Sequence, residues 1–401
     1  MVSHTRPGYD ASADARHTAL REQFLLAPEV TFLNHGSFGA CPRPVFDRYQ
    51  AWQLELERQP VEFLGRRANR LLAEARASLA EYLGAAGDEV VYFPNVTTAL
   101  NVVARSLPLE QGDEVLTADH EYGALVRTWD FVCQRRGAVP VVRELPHPLS
   151  DPAEVVEMVW AGVTPRTRVL FLSHITSPTA VILPIGPLIE RARSAGIWTV
   201  VDGAHAPGQV PVDLRALGVD FYGGNCHKWL CAPKGAGFLY ARREVQHLLE
   251  PLVISWGWRP VEPGPSRFVD EHEQQATRDL AAYLAVPAAI DFQARNDWPR
   301  VRQECHELVL MARAAIANLT GLPQLTDDTP GWFAQMATLP LPPCDAVALK
   351  KRLYDAFQIE LPVMVWHDRP YLRVSVQGYN TRADVDRLVT ALAQLAIEFE
   401  F

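Results

Sequence analysis

The sequence predicts an α/β fold: a large domain with a mostly parallel sheet sandwiched by helices, and a smaller α+β C-terminal domain. Three observations predict it. Short apolar runs alternate with helical stretches of roughly 10 to 15 residues between positions 89 and 240, the signature of parallel strands covered on both faces. A chain of 401 residues suits two domains better than one at about 150 residues each. With 48% hydrophobic and 21% charged residues, it has enough apolar surface to build a core, which excludes a disordered chain.

The elements follow in order. The first 30 residues read as a polar arm with one helix over residues 14–26. Residues 89–93 are a β-rich run, 97–107 a helix, and 114–117 a second strand followed by a helix to residue 136. A third strand is expected at 140–144, a helix at 151–163, and a fourth strand at 167–173, apolar through its middle. A helix at 185–195 precedes a fifth strand at 198–202, with short strands at 221–222 and 237–240. Five Gly and Pro residues between 257 and 265 mark a loop. Beyond it the pattern predicts helices at 280–294 and 301–319, a strand at 332–339, a helix at 345–357, a strand at 371–375 and a helix at 381–401. Thr381 and Asp384 form a loose capping box at the start of that last helix. The expected organisation is an arm at 1–30, a large cofactor domain at 31–280 and a small domain at 281–401.

The formal charge of −9, from 38 basic and 47 acidic residues, argues against a nucleic-acid partner, which requires a clustered basic face. No run of 18 apolar residues predicts a membrane span, and the polar N-terminus lacks the apolar core of a secretory signal. The six cysteines are scattered without a C-x-x-C pair, the pattern of free thiols in a reducing cytoplasm. Glycine-rich dinucleotide, P-loop, zinc-protease and nucleophile-elbow patterns are all missing.

The chemistry concentrates in residues 198–240. A strand ends in Asp202, followed by Gly203-Ala204-His205. Lys228 comes 26 residues after Asp202, in Gly223-Gly224-Asn225-Cys226-His227-Lys228. A carboxylate at a strand's C-terminal end and a lysine in a glycine-rich loop are what a pyridoxal phosphate site requires. The lysine forms the Schiff base, and the carboxylate keeps the pyridine nitrogen protonated. Asn95-Val96-Thr97-Thr98 follows a strand and opens a helix, where free N–H groups and the helix dipole attract phosphate.

These motifs resemble the class V aminotransferases among the fold type I pyridoxal phosphate enzymes, and within them the isopenicillin N epimerase-like group. Residues 32–39, 95–98, 119–122, 275–279 and 373–381 are similar to that group's landmarks in the same order. The resemblance implies that Lys228 is the Schiff-base lysine, Asp202 the partner of the ring nitrogen and His205 a contact of the ring oxygen. It places Asn95, Thr97, Thr98, Asn225 and His227 around the cofactor, with Asn225 where relatives often carry Ser or Thr. Ser177 matches a ring-oxygen donor, and His120 the aromatic residue that stacks on the ring, with Tyr122 the alternative two positions on. Thr277 matches a threonine that reaches the phosphate of the neighbouring subunit, which implies a homodimer. Arg373 matches the arginine that grips the substrate α-carboxylate in a bidentate pair. Asn34 and His35 are expected at the mouth of the substrate pocket. Trp256, Trp258 and Arg259 either border that pocket or pack their own loop.

Three reactions suit this scaffold: epimerisation at the α-carbon, C–S lysis as in hercynylcysteine sulfoxide lyase-like enzymes, and amino transfer. A cysteine desulfurase requires a nucleophilic cysteine shortly before the carboxylate-binding arginine. Residues 359–370 contain none, and Cys344 lies 29 positions before Arg373. Epimerisation requires a second acid besides Lys228, for which His120, Tyr122 and His35 are the candidates.

Overall fold

The computed structural model describes residues 9–398; the ends of the expected arm and of the last helix, residues 1–8 and 399–401, lie outside the described residues. Its strands are β1 (Thr31–Phe32), β2 (Val90–Phe93), β3 (Glu114–Ala118), β4 (Val139–Arg143), β5 (Thr167–Ser173), β6 (Trp198–Gly203), β7 (Phe221–Asn225), β8 (Gly237–Ala241), β9 (Met336–Pro340), β10 (Ile359–Glu360), β11 (Val363–Trp366) and β12 (Arg369–Ser375). Seven of them form one sheet in the order β2-β8-β7-β6-β5-β3-β4. All run parallel except β8, which is antiparallel to both its neighbours.

Every residue of β2, β3, β7 and β8 is buried. Burial on both faces explains why these strands read as continuous apolar runs and not as alternating ones. The edge strand β4 is mostly open to solvent and carries Pro140, a residue tolerated where one side of the ladder is unpaired. The central strands place their C-terminal ends along one rim, and the loops there carry the predicted site residues. Open α/β sheets bind ligands along such a rim.

A glycine in β7 brings the helix Val96–Ser106 close to the sheet. A Cβ on Gly223 would lie 2.7 Å from Val96 Cγ2 and 2.9 Å from Leu100 Cγ, so any side chain there would push the helix away. Asn225, at the end of the same strand, accepts a hydrogen bond from the Val96 N–H at 2.9 Å.

The C-terminal part carries an antiparallel sheet in the order β11-β12-β9. The expected strand at 332–339 begins later, at Met336, and Trp332 is instead buried in the preceding turn. The expected helix at 280–294 is two, Ala281–Leu284 and Val286–Arg295, divided next to Pro287. Proline lacks the N–H that would continue the ladder. The next helix begins earlier than expected and runs from Trp298 to Thr320 with Pro299 in its first turn, where proline's missing N–H costs nothing. Asp384 accepts from the Thr381 N–H at 3.1 Å, one half of the expected capping box.

Two long helices were not foreseen, Arg43–Arg58 and Ala68–Tyr82, nor were short ones such as Arg267–Glu273. The second buries Leu71, Leu72, Ala75 and Leu79 on one face. The short strand β1 pairs in parallel with β10, tying the chain near residue 31 to its C-terminal part. No described helix is long and apolar enough to cross a membrane.

Candidate active site

The end of β7 turns directly into Lys228, whose Nζ lies 3.2 Å from His205 Nε2. On the other side of the same imidazole, Trp229 Nε1–H donates to His205 Nδ1 at 3.2 Å. The ring is buried, and burial followed by the charges of Lys228 and Arg373 drives it well below the usual histidine range. A neutral imidazole that accepts at Nδ1 carries its proton on Nε2. With its proton there, the ring turns a donor toward Lys228 Nζ, an arrangement that favours the amine over the ammonium. Burial and the Arg373 charge push the lysine in the same direction, down to about 8, while Asp202 opposes them.

Asp202 ends β6 at 2% exposure. Its Oδ1 accepts from the Ala204 N–H at 2.8 Å, the one hydrogen bond the carboxylate makes among the described residues. Burial raises it to about 6. Beside it, Ser173 of β5 pairs with Asp202 in the sheet and donates its N–H and hydroxyl to Glu121. Burial lifts the Glu121 carboxyl to about 8. Sequence reasoning passed over Glu121, although it lies inside the 119–122 motif.

At the helix start, Asn95 is the N-cap, and its Oδ1 accepts from the N–H and hydroxyl of Thr98 at 2.9 and 3.1 Å. With Val96 held by Asn225, the N–H of Thr97 is the first-turn donor left without a partner inside the helix. His227 donates from Nδ1 to Ala236 O at 3.0 Å, which fixes the loop before the lysine. Burial holds its imidazole down at about 4.

Arg373 projects from β12. Its Nη1 reaches the carbonyl of Ser177 at 2.6 Å and the Ser177 hydroxyl at 3.3 Å, and its Nη2 reaches Ser37 Oγ at 3.2 Å. Ser177 thus braces the arginine, and its hydroxyl, an acceptor in that contact, keeps its own hydrogen to donate. Arg373 Nε is buried without a partner, and burial lowers the guanidinium to about 10, still charged at neutral pH. Ser37 in turn donates to Asn34 Oδ1 at 2.5 Å, and Asn34 donates to Glu360 at 3.0 Å. Asn34 is therefore a support for the arginine. Ser37 was missed, though it sits within the quoted 32–39 stretch.

His35 is fully buried behind the lysine and does not reach a pocket mouth. Its Nδ1 meets Tyr379 Oη at 2.9 Å and its Nε2 meets the Lys228 carbonyl at 3.0 Å. His120 is also fully buried. Its Nδ1 accepts from Thr179 at 2.7 Å, and its ring sits 4.9 Å from both His147 and Trp366. Burial holds it at about 4. Tyr122, at the N-cap of the helix Gly123–Arg136, is 42% exposed. It is therefore the aromatic ring of this motif with an open face.

Thr277 is exposed and borders a cavity of about 450 Å³ with Arg76 and Trp256. Trp256 is 81% exposed, and Arg259 stacks over Trp258 at 4.3 Å. These three residues pack with their own loop and the outer surface. Cys226 is fully buried, and burial pushes its thiol far up, so it is no nucleophile.

These groups suit pyridoxal phosphate: a lysine whose pKa burial lowers, a buried carboxylate with a free oxygen, a neutral histidine and a helix N-terminus with an unused donor. The comparisons agree. The family described as Aminotransferase class-V matches residues 40–388. The isopenicillin N epimerase of Amycolatopsis lactamdurans is 43% identical, with 94% of this chain and 98% of the relative covered. That of Streptomyces clavuligerus is 40% identical at the same coverage. The solved structure of the cystine C–S lyase C-DES, with glycine covalently linked to its PLP cofactor, superposes with a TM-score of 0.81 at 22% identity. It covers 93% of this chain and 98% of that one.

Proposed function

The chain belongs to the class V aminotransferase family of pyridoxal phosphate-dependent enzymes, and we propose that it is an epimerase that removes and returns the α-proton of an amino-acid-type substrate. Bound at this rim, the cofactor supplies an electron sink for the pair left on the α-carbon. Lys228 would hold it and, when free, serve as the base for the α-proton. Asp202 would pair with the ring nitrogen and His205 with the ring oxygen. Thr97, Thr98 and Asn95 would hold the phosphate. Asn225 acts one step behind them by fixing the Val96 N–H, and His227 by fixing the loop.

Arg373 takes the α-carboxylate, held in place by Ser177 and Ser37. Tyr122, exposed where His120 is buried, would cover the ring face, and its hydroxyl would supply the second acid that inversion requires. The observation that carries this reading is Lys228 Nζ lying 3.2 Å from His205 Nε2 in a buried site that lowers its pKa to about 8, which enlarges the share of free amine that cofactor capture and proton removal need. The names of the two relatives at 43% and 40% identity favour epimerisation over elimination or amino transfer.

The same reading makes the protein a cytoplasmic homodimer in which Thr277 reaches the neighbouring phosphate. Its exposure, and that of Ile254, Trp256 and Val261 nearby, supports this. The test is spectroscopic and chemical. The isolated protein should be yellow, bleach with borohydride and lose its colour in Lys228→Ala. With an amino-acid panel it should yield the opposite enantiomer. A colourless protein that takes up no pyridoxal phosphate would overturn the reading. Release of pyruvate and ammonia from an S-substituted cysteine would replace epimerisation with elimination.

A further inference from the structure

The large sheet reverses its order between β3 and β5: the chain passes from β3 to β4 on one side and resumes at β5 on the other. Open α/β sheets bind ligands in the crevice at such a point. The two strands that flank it part early. Their last paired residues are Leu116 and Leu170, so Ser173, at the end of β5, has no β3 residue opposite it. A buried N–H without an acceptor is costly. Glu121 takes the missing place. Its Oε1 accepts from the Ser173 N–H at 3.0 Å, and its Oε2 meets the Ser173 hydroxyl at 2.5 Å. On its other side Ser173 pairs with Asp202 in the sheet.

Glu121 belongs to the loop of residues 119–122, which joins β3 to the helix Gly123–Arg136. The side chains before Tyr122 are each tied to a different part of the fold. Asp119 accepts from the Leu145 N–H at 3.1 Å, His120 accepts from Thr179 at 2.7 Å, and Glu121 clamps Ser173. Only the tie made by Glu121 reaches the strand beside Asp202. The seat of Tyr122 relative to Asp202 therefore runs through one buried carboxyl. Burial, followed by the charges of Asp202 and Asp119, lifts that carboxyl to about 8, so it is chiefly protonated at neutral pH. An uncharged carboxyl presents one carbonyl and one hydroxyl, a pair that the amide of a glutamine matches in shape and hydrogen bonding.

We propose that Glu121 is a positioning residue of the active site: by bridging the crevice between β3 and β5 it sets Tyr122 against the cofactor ring. The inference rests on Tyr122 covering that ring, and not on which reaction follows.

Visible circular dichroism of the holoprotein, measured per bound pyridoxal phosphate, tests this, because that signal reports how the groups around the ring hold it and not how stable the fold is. Tyr122→Ala should weaken the band. Glu121→Leu fills the same space without an acceptor and should weaken it to the same level. The double variant should lose no more than either single one, since both act through one contact. Glu121→Gln should keep the band of the unaltered protein. Ser173→Ala removes the hydroxyl and leaves the N–H, so its band should lie between, which keeps the test open if Glu121→Leu does not fold. A full band in Glu121→Leu and Ser173→Ala, with a weakened one in Tyr122→Ala, overturns the inference. So do losses that add in the double variant, or a Glu121→Gln band as weak as that of Glu121→Leu. A full band in Tyr122→Ala has a different meaning: it removes Tyr122 from the ring, and this inference with it.

Discussion

The Trp229 indole N–H occupies Nδ1 of His205 and so turns the ring's Nε2–H toward Lys228 Nζ, 3.2 Å away. The residue next to the lysine therefore biases the lysine toward its neutral form through the intervening histidine. In Trp229→Phe the imidazole is free to place its proton on Nδ1 and accept from an ammonium at Nε2. The lysine's pKa should then rise from about 8 toward its ordinary value of 10.5. The apoprotein captures pyridoxal phosphate through the neutral amine, so the pH at half-maximal capture rate should rise with it. An unmoved midpoint would show that the indole does not set the tautomer.

Arg373 grips its carboxylate with a planar fork, and a lysine there keeps the charge but not the geometry. Arg373→Lys should raise KM about 10²-fold, since a buried, hydrogen-bonded charge pair is worth several kcal/mol, and should change kcat less. Steady-state kinetics on any substrate that shows α-exchange checks the split. An unchanged KM would remove Arg373 from the carboxylate site.

The burial of His120 predicts a pH dependence with a definite sign. Its pKa is about 4 in the fold and 6.5 in a model peptide. A depressed pKa contributes stability that is present above 6.5 and is lost as the pH falls through 4. Between pH 6.5 and 5 the loss should be about 2 kcal/mol, at about 1.4 kcal/mol per unit. Urea unfolding at pH 7 and pH 5 should show His120→Phe losing about 2 kcal/mol less than the unaltered protein. Equal losses would mean that the imidazole is charged in the fold. That outcome would reopen His120 as an acid.

Gly39 stands at φ +70°, and a Cβ there would meet His227 O at 2.0 Å and Lys228 Cα at 2.9 Å. Gly39→Ala should therefore displace the lysine loop. An expected cost of about 2 kcal/mol in urea unfolding follows from the strained backbone, together with weaker retention of pyridoxal phosphate on dialysis. A variant with unaltered stability and cofactor retention would show that the loop yields at no cost.

The seven-stranded sheet was readable because its strands are short, mostly apolar and punctuated, and because Asp202 and Lys228 flank glycine-rich turns. The helices Arg43–Arg58 and Ala68–Tyr82 were passed over because that stretch carries no motif. Residues 68–82, rich in Ala, Leu, Arg and Glu, nonetheless held a helical signal. The sequence of β12 marked Arg373 but not what orients it. Ser37 and Ser177 lie 336 and 196 positions away and meet it only in the fold. Choosing between His120 and Tyr122 was likewise beyond a one-dimensional reading. Two residues' spacing at a strand end does not tell which ring is buried between His147 and Trp366 and which faces outward.

The central claim is that this rim moves an α-proton on and off one carbon and inverts it. The direct measurement is incubation of the holoprotein with single enantiomers from an amino-acid panel in heavy water, with chiral separation and mass analysis of what is recovered. The account predicts both enantiomers, the newly formed one carrying α-deuterium, no keto acid, and no reaction with Lys228→Ala. Recovery of keto acid and ammonia, or of the starting enantiomer without deuterium across the substrate panel, would contradict it.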